Sequence, residues 1–278
     1  MDIRSLWDFD DPAASEALFR RLLADAQGDD ALSLRTQVAR THSLRRQFAE
    51  AHAELDAMLP ALAEAGAEPQ VRHLLERGRT LRSAGERQQA RPLFAQAVER
   101  ARAARLDELM VDAMHMLAAV EPETADQLAW NDRALAAALA SHEPNARAWE
   151  GSLAHNIGIS LHGAGRFDEA MASFRQALAA RERDGKPRQV RIAHWMVAWT
   201  LRAMKRHAEA LALQQRLERE LADAGETDGW VCAELGENLL ALGRAAEAGP
   251  WFSRAIDALA NELPDADTLA RWRATIQA

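Results

Sequence analysis

Small and apolar residues recur along the chain in a sixteen-residue pattern. It reads GAGRFDEAMASFRQAL from Gly163 to Leu178, SAGERQQARPLFAQAV from Ser83 to Val98, and ALGRAAEAGPWFSRAI from Ala241 to Ile256. Weaker copies run from Leu44 to Leu59 and from Ala203 to Glu218. The alanine in the eighth column supplies a register: Ala51, Ala90, Ala170, Ala210 and Ala248, at steps of 39, 80, 40 and 38 residues. The double step implies a sixth, degenerate copy between Ala90 and Ala170. Four residues after each alanine stands Leu55, Phe94, Phe174, Gln214 or Phe252, and seven after it Met58, Ala97, Ala177, Leu217 or Ala255. An i, i+4, i+7 stripe is one face of an α-helix.

Twelve residues before each alanine the chain is again small: Ala39, Gly78, Gly158, Ala198 and Gly236. Two columns of small residues at this separation predict two antiparallel helices that cross closely, where a larger side chain would push the axes apart. Five before the alanine come Gly85, Gly165 and Gly243, or Arg46 and Lys205 in the weak copies. That column marks the turn, because helices commonly end in a left-handed residue that glycine adopts without strain. The degenerate copy reads as a helix through MVDAMHMLAAV, a turn at 121–124, and a second helix over 125–139. Pro92 and Pro250 share a column inside the second helix, which predicts a bend or a late start there.

The run Gly158–Gly165–Phe167–Ala170–Phe174–Ala177 resembles the tetratricopeptide repeat family, and the likeness extends over residues 30 to 260. The resemblance implies an all-α fold, a right-handed α-solenoid of antiparallel helix pairs forming a superhelix. Residues 1–29 form an N-terminal segment with a capping helix, 30–262 about six helix pairs with the third degenerate, and 263–278 a C-terminal capping helix. Asp11–Pro12 opens the first cap, with Leu18, Leu22 and Leu23 on one side; Asp267 opens the last, with Leu269, Trp272 and Ile276 in a stripe. The period exceeds the family's usual value of about 34 residues, so the helices are longer or the turns carry extra residues. The large aromatic of the family four before the first small residue is replaced by Arg35, Leu74, Ala154, His194 and Cys232.

In that family the first helix of each pair lines the concave surface. Carried over by position, the resemblance places Thr36 and Arg40 on this groove, then Arg72, Arg79 and Arg82, then Asp112 and His115. Later repeats add Ser152, His155, Asn156, Ile159 and His162; Ile192, Trp195, Trp199 and Arg202; and Trp230, Glu237 and Leu240, with Glu234 adjacent. Arginine binds carboxylates in a bidentate fashion and tryptophan anchors interfaces. The face therefore suits an extended or helical peptide with acidic and apolar residues. Trp195 and Trp199 either present this shelf or pack against the next helix. Asn156 alone matches the family's carboxylate clamp for chaperone tails, and its neighbouring columns are not cationic.

Composition narrows the function. The formal charge is −8, which disfavours nucleic acid; Lys186 and Lys205 are the only lysines, as in a GC-rich bacterial genome. No apolar run is long enough for a membrane span, the start lacks a signal-peptide core, and the single Cys232 cannot form an intramolecular disulfide, so the cytoplasm is expected. His115, His155 and His162 could approach one another, but no HExxH, CxxC or carboxylate-pair motif supports a metal. No phosphate loop or Ser/His/Asp arrangement is present, so neither catalytic residues nor a cofactor are expected. The expected role is a non-enzymatic scaffold that binds a protein or peptide. The alternative is a small-molecule or signalling-peptide sensor in the His/Trp region. Homo-oligomerisation is compatible with both.

Overall fold

The computed structural model describes residues 2–259 and 262–277, so Met1, Ala260, Asn261 and Ala278, at the edges of the expected segments, lie outside the described residues. The chain forms two compact units, Met1–Leu153 and Ala154–Ala278. In the first, α1 (Pro12–Leu23) precedes the pairs α2 (Gly28–Leu44) and α3 (Phe48–Asp56), α5 (Ala67–Ser83) and α6 (Arg87–Ala104), and α7 (Asp107–Ala118) and α8 (Thr124–Ala140). Single turns α4 (Leu59–Leu62) and α9 (Pro144–Arg147) connect them. Helix α10 (Glu150–Gly163) spans the boundary. The second unit continues with α11 (Phe167–Asp184), the pairs α12 (Pro187–Ala203) and α13 (His207–Asp223), and α14 (Gly229–Ala241) and α15 (Ala245–Leu259), and then α16 (Ala266–Gln277).

The small and aromatic columns meet across each pair. A Cβ added to Gly78 would stand 2.5 Å from the ring of Phe94, one on Gly158 2.5 Å from Phe174, and one on Gly236 2.5 Å from Phe252. The three rings are fully buried, and burying each contributes roughly 1.5–3 kcal/mol. Glycine is required at these positions by the approach of the ring, not by backbone freedom. In the first pair the combination is Ala39 with Leu55, both buried in one cluster. In the fifth it is Ala198 with Gln214, whose amide nitrogen and oxygen are buried with no partner among the described residues.

All five turn-column residues are left-handed: Gly85, Gly165 and Gly243, and also Arg46 (φ 61°) and Lys205 (φ 60°). Each is followed by a backbone N–H that reaches back to an earlier carbonyl of the helix, as from Arg206 to Leu201 at 2.9 Å and from Gln47 to His42 at 2.9 Å. This satisfies carbonyls that the helix end would otherwise leave open. The longer period resides in the helices, since α5 and α12 have 17 residues and α6 and α11 have 18.

Three expectations need correction. Of the bend or late start expected at the prolines, the late start does not occur: α6 starts at Arg87 and runs through Pro92, and α15 starts at Ala245 and runs through Pro250. The inner face of α1 is built on Phe19 and Ser15, with Leu18, Leu22 and Leu23 half-buried at its flanks. Asp265, not Asp267, caps α16, its carboxylate accepting from the Thr268 N–H at 3.0 Å. Trp272 of α16 is buried and stacks on Phe252 at 5.1 Å, while Ile276 is exposed. Cys232 is buried, and burial pushes its thiol above the ordinary value.

Candidate functional site

In the first unit, the first helices of the pairs bring most of the expected arginines together, each already partnered. Arg79 donates to both carboxylate oxygens of Asp112 at 2.5 Å and also pairs with Glu76. Burial works against the charge of Asp112, but Arg79 outweighs it and holds the carboxyl below its ordinary range. Arg40 lies 3.7 Å from Glu76, and its guanidinium stands 5.2 Å from the ring centroids of Trp7 and Phe9. Arg72 pairs with Glu68 at 2.8 Å. Arg82 is exposed, with no ion pair among the described residues. His115 is half-buried against Trp149, and burial lowers its pKa. Thr36 is fully buried, its hydroxyl donating to the Ser33 carbonyl, and so does not face the groove.

The aromatic groups gather in the second unit. The ring of His162 stacks on Trp199 at 3.4 Å, and Trp199 stacks on Trp195 at 5.8 Å, both nearly parallel. Trp195 and Trp199 are half-buried on one face of α12. With His155, Ile192, Met196 and Trp230 they line an open cavity of about 850 Å³. Trp230, at the start of α14, is 40% exposed. The indole nitrogen of Trp195 and Nε2 of His162 are buried without a partner among the described residues. His155 rests edge-on against Phe174 at 5.9 Å. Burial lowers the pKa of both histidines, and Arg181 adds to this for His155 and Arg202 for His162. Both rings are therefore neutral at neutral pH. Asn156 is half-buried on the same helix.

Two expected groove residues are committed to structure. Arg202 donates to both oxygens of Glu234 at 2.7 and 2.8 Å. Glu237 accepts from Arg271 at 2.7 and 2.9 Å and from the Trp272 indole at 2.6 Å, which ties α16 to α14. The expectation that free arginines await an acidic ligand is therefore corrected, because acidic side chains of the chain itself hold Arg40, Arg72, Arg79 and Arg202. A signal for this was present in the sequence: opposite charges recur one repeat apart on first helices, as in Arg79–Asp112 and Arg202–Glu234. Among the described residues no group of three or more His, Cys, Asp or Glu side chains could hold a metal ion. No described helix is long and apolar enough to cross a membrane.

Helix pairs locked by a small residue under a large one, turning through left-handed residues, define a helical-repeat protein with an aromatic groove. Residues 149–219, over the fourth and fifth pairs, match the family model described as Tetratricopeptide repeat. No curated protein matches the sequence. The fold is similar to that of RapI in its apo form, at 10% identity and TM-score 0.75 over 98% of this chain and 77% of that one. It is also similar to a Rap protein complexed with Competence and Sporulation Factor, at 13% identity and TM-score 0.59 over 99% and 83%. The kinesin light chain TPR-like repeats of Podospora anserina align at 17% identity and TM-score 0.57 over 69% and 95%. At these identities the likeness concerns the fold.

Proposed function

We propose that the chain is a non-enzymatic interaction scaffold that holds a peptide or protein segment in the groove of its second unit. The observation that carries this reading is the His162–Trp199–Trp195 stack beside the open cavity that Trp230 borders. Half-exposed tryptophans with a desolvated, unpaired indole N–H suit a segment that offers an apolar or aromatic side chain and a backbone carbonyl. The occupant is selected by aromatic and apolar contact, since Arg202 is already neutralised by Glu234. The sensor reading is favoured by one comparison, the Rap protein of the same fold solved with Competence and Sporulation Factor bound. In that reading the ligand would prefer one arrangement of the helix pairs over another.

Affinity capture from a native lysate tests the proposal, comparing the wild type with W199A/W230A and with a W251A control, read by mass spectrometry. A segment retained by wild type and W251A and lost by the double variant supports groove binding. Identical capture by all three, with helicity unchanged, refutes it.

A further inference from the structure

The groove of the first unit is not empty. Residues 2–9, DIRSLWDF, lie across it. Ile3 is 3% exposed although it precedes the first long helix. Arg4 donates to the Asn145 carbonyl at 3.0 Å and places its guanidinium 5.2 Å from the Trp149 ring centroid. The Trp7 indole donates to the Gln37 side-chain oxygen at 2.9 Å, and its ring is covered by Arg40. Phe9 stacks on Trp7 at 4.9 Å yet is 54% exposed. Apart from the turn Arg4–Leu6, this segment has no regular structure. Its side chains hold it in the groove, and the Ser15 hydroxyl of α1 anchors its far end by accepting from the Asp8 N–H at 2.9 Å and donating to the Asp8 carbonyl at 2.8 Å.

The segment fills the groove incompletely. A cavity of about 210 Å³ remains, walled by Ile3, Trp7 and Phe9 on one side and by Arg40, Glu76 and Trp149 on the other. Two groups in that wall, Oε2 of Glu76 and the indole nitrogen of Trp149, are buried with no partner among the described residues. Glu76 is a buried carboxylate beside Arg79 and Arg40, and its free oxygen asks for a donor. Leaving such an atom unmatched is unfavourable, so a ligand that supplies a donor there gains over the chain's own segment.

We infer that the first unit's groove is a peptide-binding site, held in this structure by residues 2–9. Its ligand is a peptide that makes one helical turn, carrying a branched apolar residue and, four positions on, an aromatic one, as Ile3 and Trp7 do across the turn Arg4–Leu6, with a hydrogen-bond donor between them. A free peptide of this class competes with the tethered segment. The inference concerns a different set of residues from the aromatic groove of the second unit and stands or falls apart from it.

The probe is a fluorescently labelled octapeptide with the sequence of residues 2–9, read by anisotropy against the full chain. A tethered competitor closed ten times out of eleven weakens apparent binding about elevenfold. I3S/W7A, which loosens the segment and leaves the side chains of the facing helices α2, α5 and α7 unchanged, should therefore bind the peptide at least about tenfold more tightly than wild type. R40A in the same background should abolish binding, and W199A should leave it unchanged. Because the loosened variant also loses the packing of Trp7 on Phe19, hydrogen exchange on the wild type supplies a second reading: saturating peptide should accelerate exchange in residues 2–9. The inference is overturned if I3S/W7A with wild-type helicity binds no more tightly than wild type, if R40A binds as well as its parent, or if exchange in residues 2–9 does not respond.

Discussion

Gln214 stands where the strong repeats place phenylalanine, and replacing it tests the packing rule directly. Its side chain is fully buried, and neither amide atom has a partner among the described residues. An unsatisfied buried group costs about 1–3 kcal/mol. An apolar side chain of similar size removes that cost and adds a favourable transfer free energy. Leucine is the right replacement because the first pair already contains it: Leu55 packs in one buried cluster with Ala39, the counterpart of Ala198. Gln214→Leu should therefore stabilise the protein by about 1–3 kcal/mol, or roughly 2–4 °C of melting temperature per kcal/mol for a chain of this size. Phenylalanine should fail at the same position. The three native rings leave only 2.5 Å to a Cβ on the facing residue, and Ala198 has one, so Gln214→Phe overpacks by about 1–3 kcal/mol. Adding Ala198→Gly should recover the loss, less about 1 kcal/mol for glycine inside a helix. Calorimetry or chemical denaturation of wild type, A198G, Q214F and A198G/Q214F forms a double-mutant cycle, with Q214L measured beside it. Destabilisation by Gln214→Leu would refute the claim that the amide is unsatisfied. Additive effects of Ala198→Gly and Gln214→Phe would refute the paired-column account of the repeat.

Lys205→Gly and Arg46→Gly should each raise stability by about 1 kcal/mol, since both residues hold a left-handed conformation that costs a non-glycine residue roughly that much; unchanged melting would count against it. Gly158→Ala should destabilise despite its better helix propensity, because the added Cβ meets the immobile Phe174 ring, whereas Gly163→Ala, with nothing within 4 Å, should not; equal melting of the two variants would contradict this. His155 and His162 have folded pKa values lowered by burial, so their contribution is complete above their unfolded value and declines as pH falls below it toward the folded values. The fall in melting temperature from pH 7 to pH 5 should therefore be shallower in H155Q/H162Q than in wild type, and equal slopes would refute it. Glu234 and Glu108, raised by burial, act in the opposite sense in both proteins and drop out of the comparison.

The helix pairs were legible because their constraints are local in register. A glycine under a ring and a left-handed residue at a turn admit few substitutes, so each leaves a column in the sequence, and even Arg46 and Lys205 obey the column's backbone geometry. The ion pairs were not legible from any single repeat. Arg79 reads as a surface residue until Asp112, 33 positions later, is brought against it by the stacking of α5 on α7. The segment 2–9 was least legible, because it has no period and its contacts, such as Arg4 with Asn145, span most of the first unit. Pro92 and Pro250 do not delay their helices for the opposite reason: one lost hydrogen bond early in a long helix is outweighed by the packing of the rest of that helix, so the local rule for a helix start yields to the tertiary one.

The charge pairing also decides what kind of ligand each groove can take. An acidic ligand approaching Arg79 would have to separate it from Asp112, leaving a buried carboxylate uncompensated at a cost of about 3–5 kcal/mol, more than the hydrogen bonds of a new ion pair to arginine return. The same argument holds for Arg202 and Glu234, whose carboxylate burial already pushes toward the neutral form. Discrimination must then come from groups still unsatisfied or exposed: the Trp195 indole and the Trp230 ring in the second unit, and Glu76 and the Trp149 indole in the first. Those groups read shape, aromatic faces and single hydrogen bonds rather than net charge. Binding at the second unit's groove should consequently change little with ionic strength, and a steep loss of affinity with added salt would show that charged groups such as Arg202, not the aromatic groups, hold the ligand.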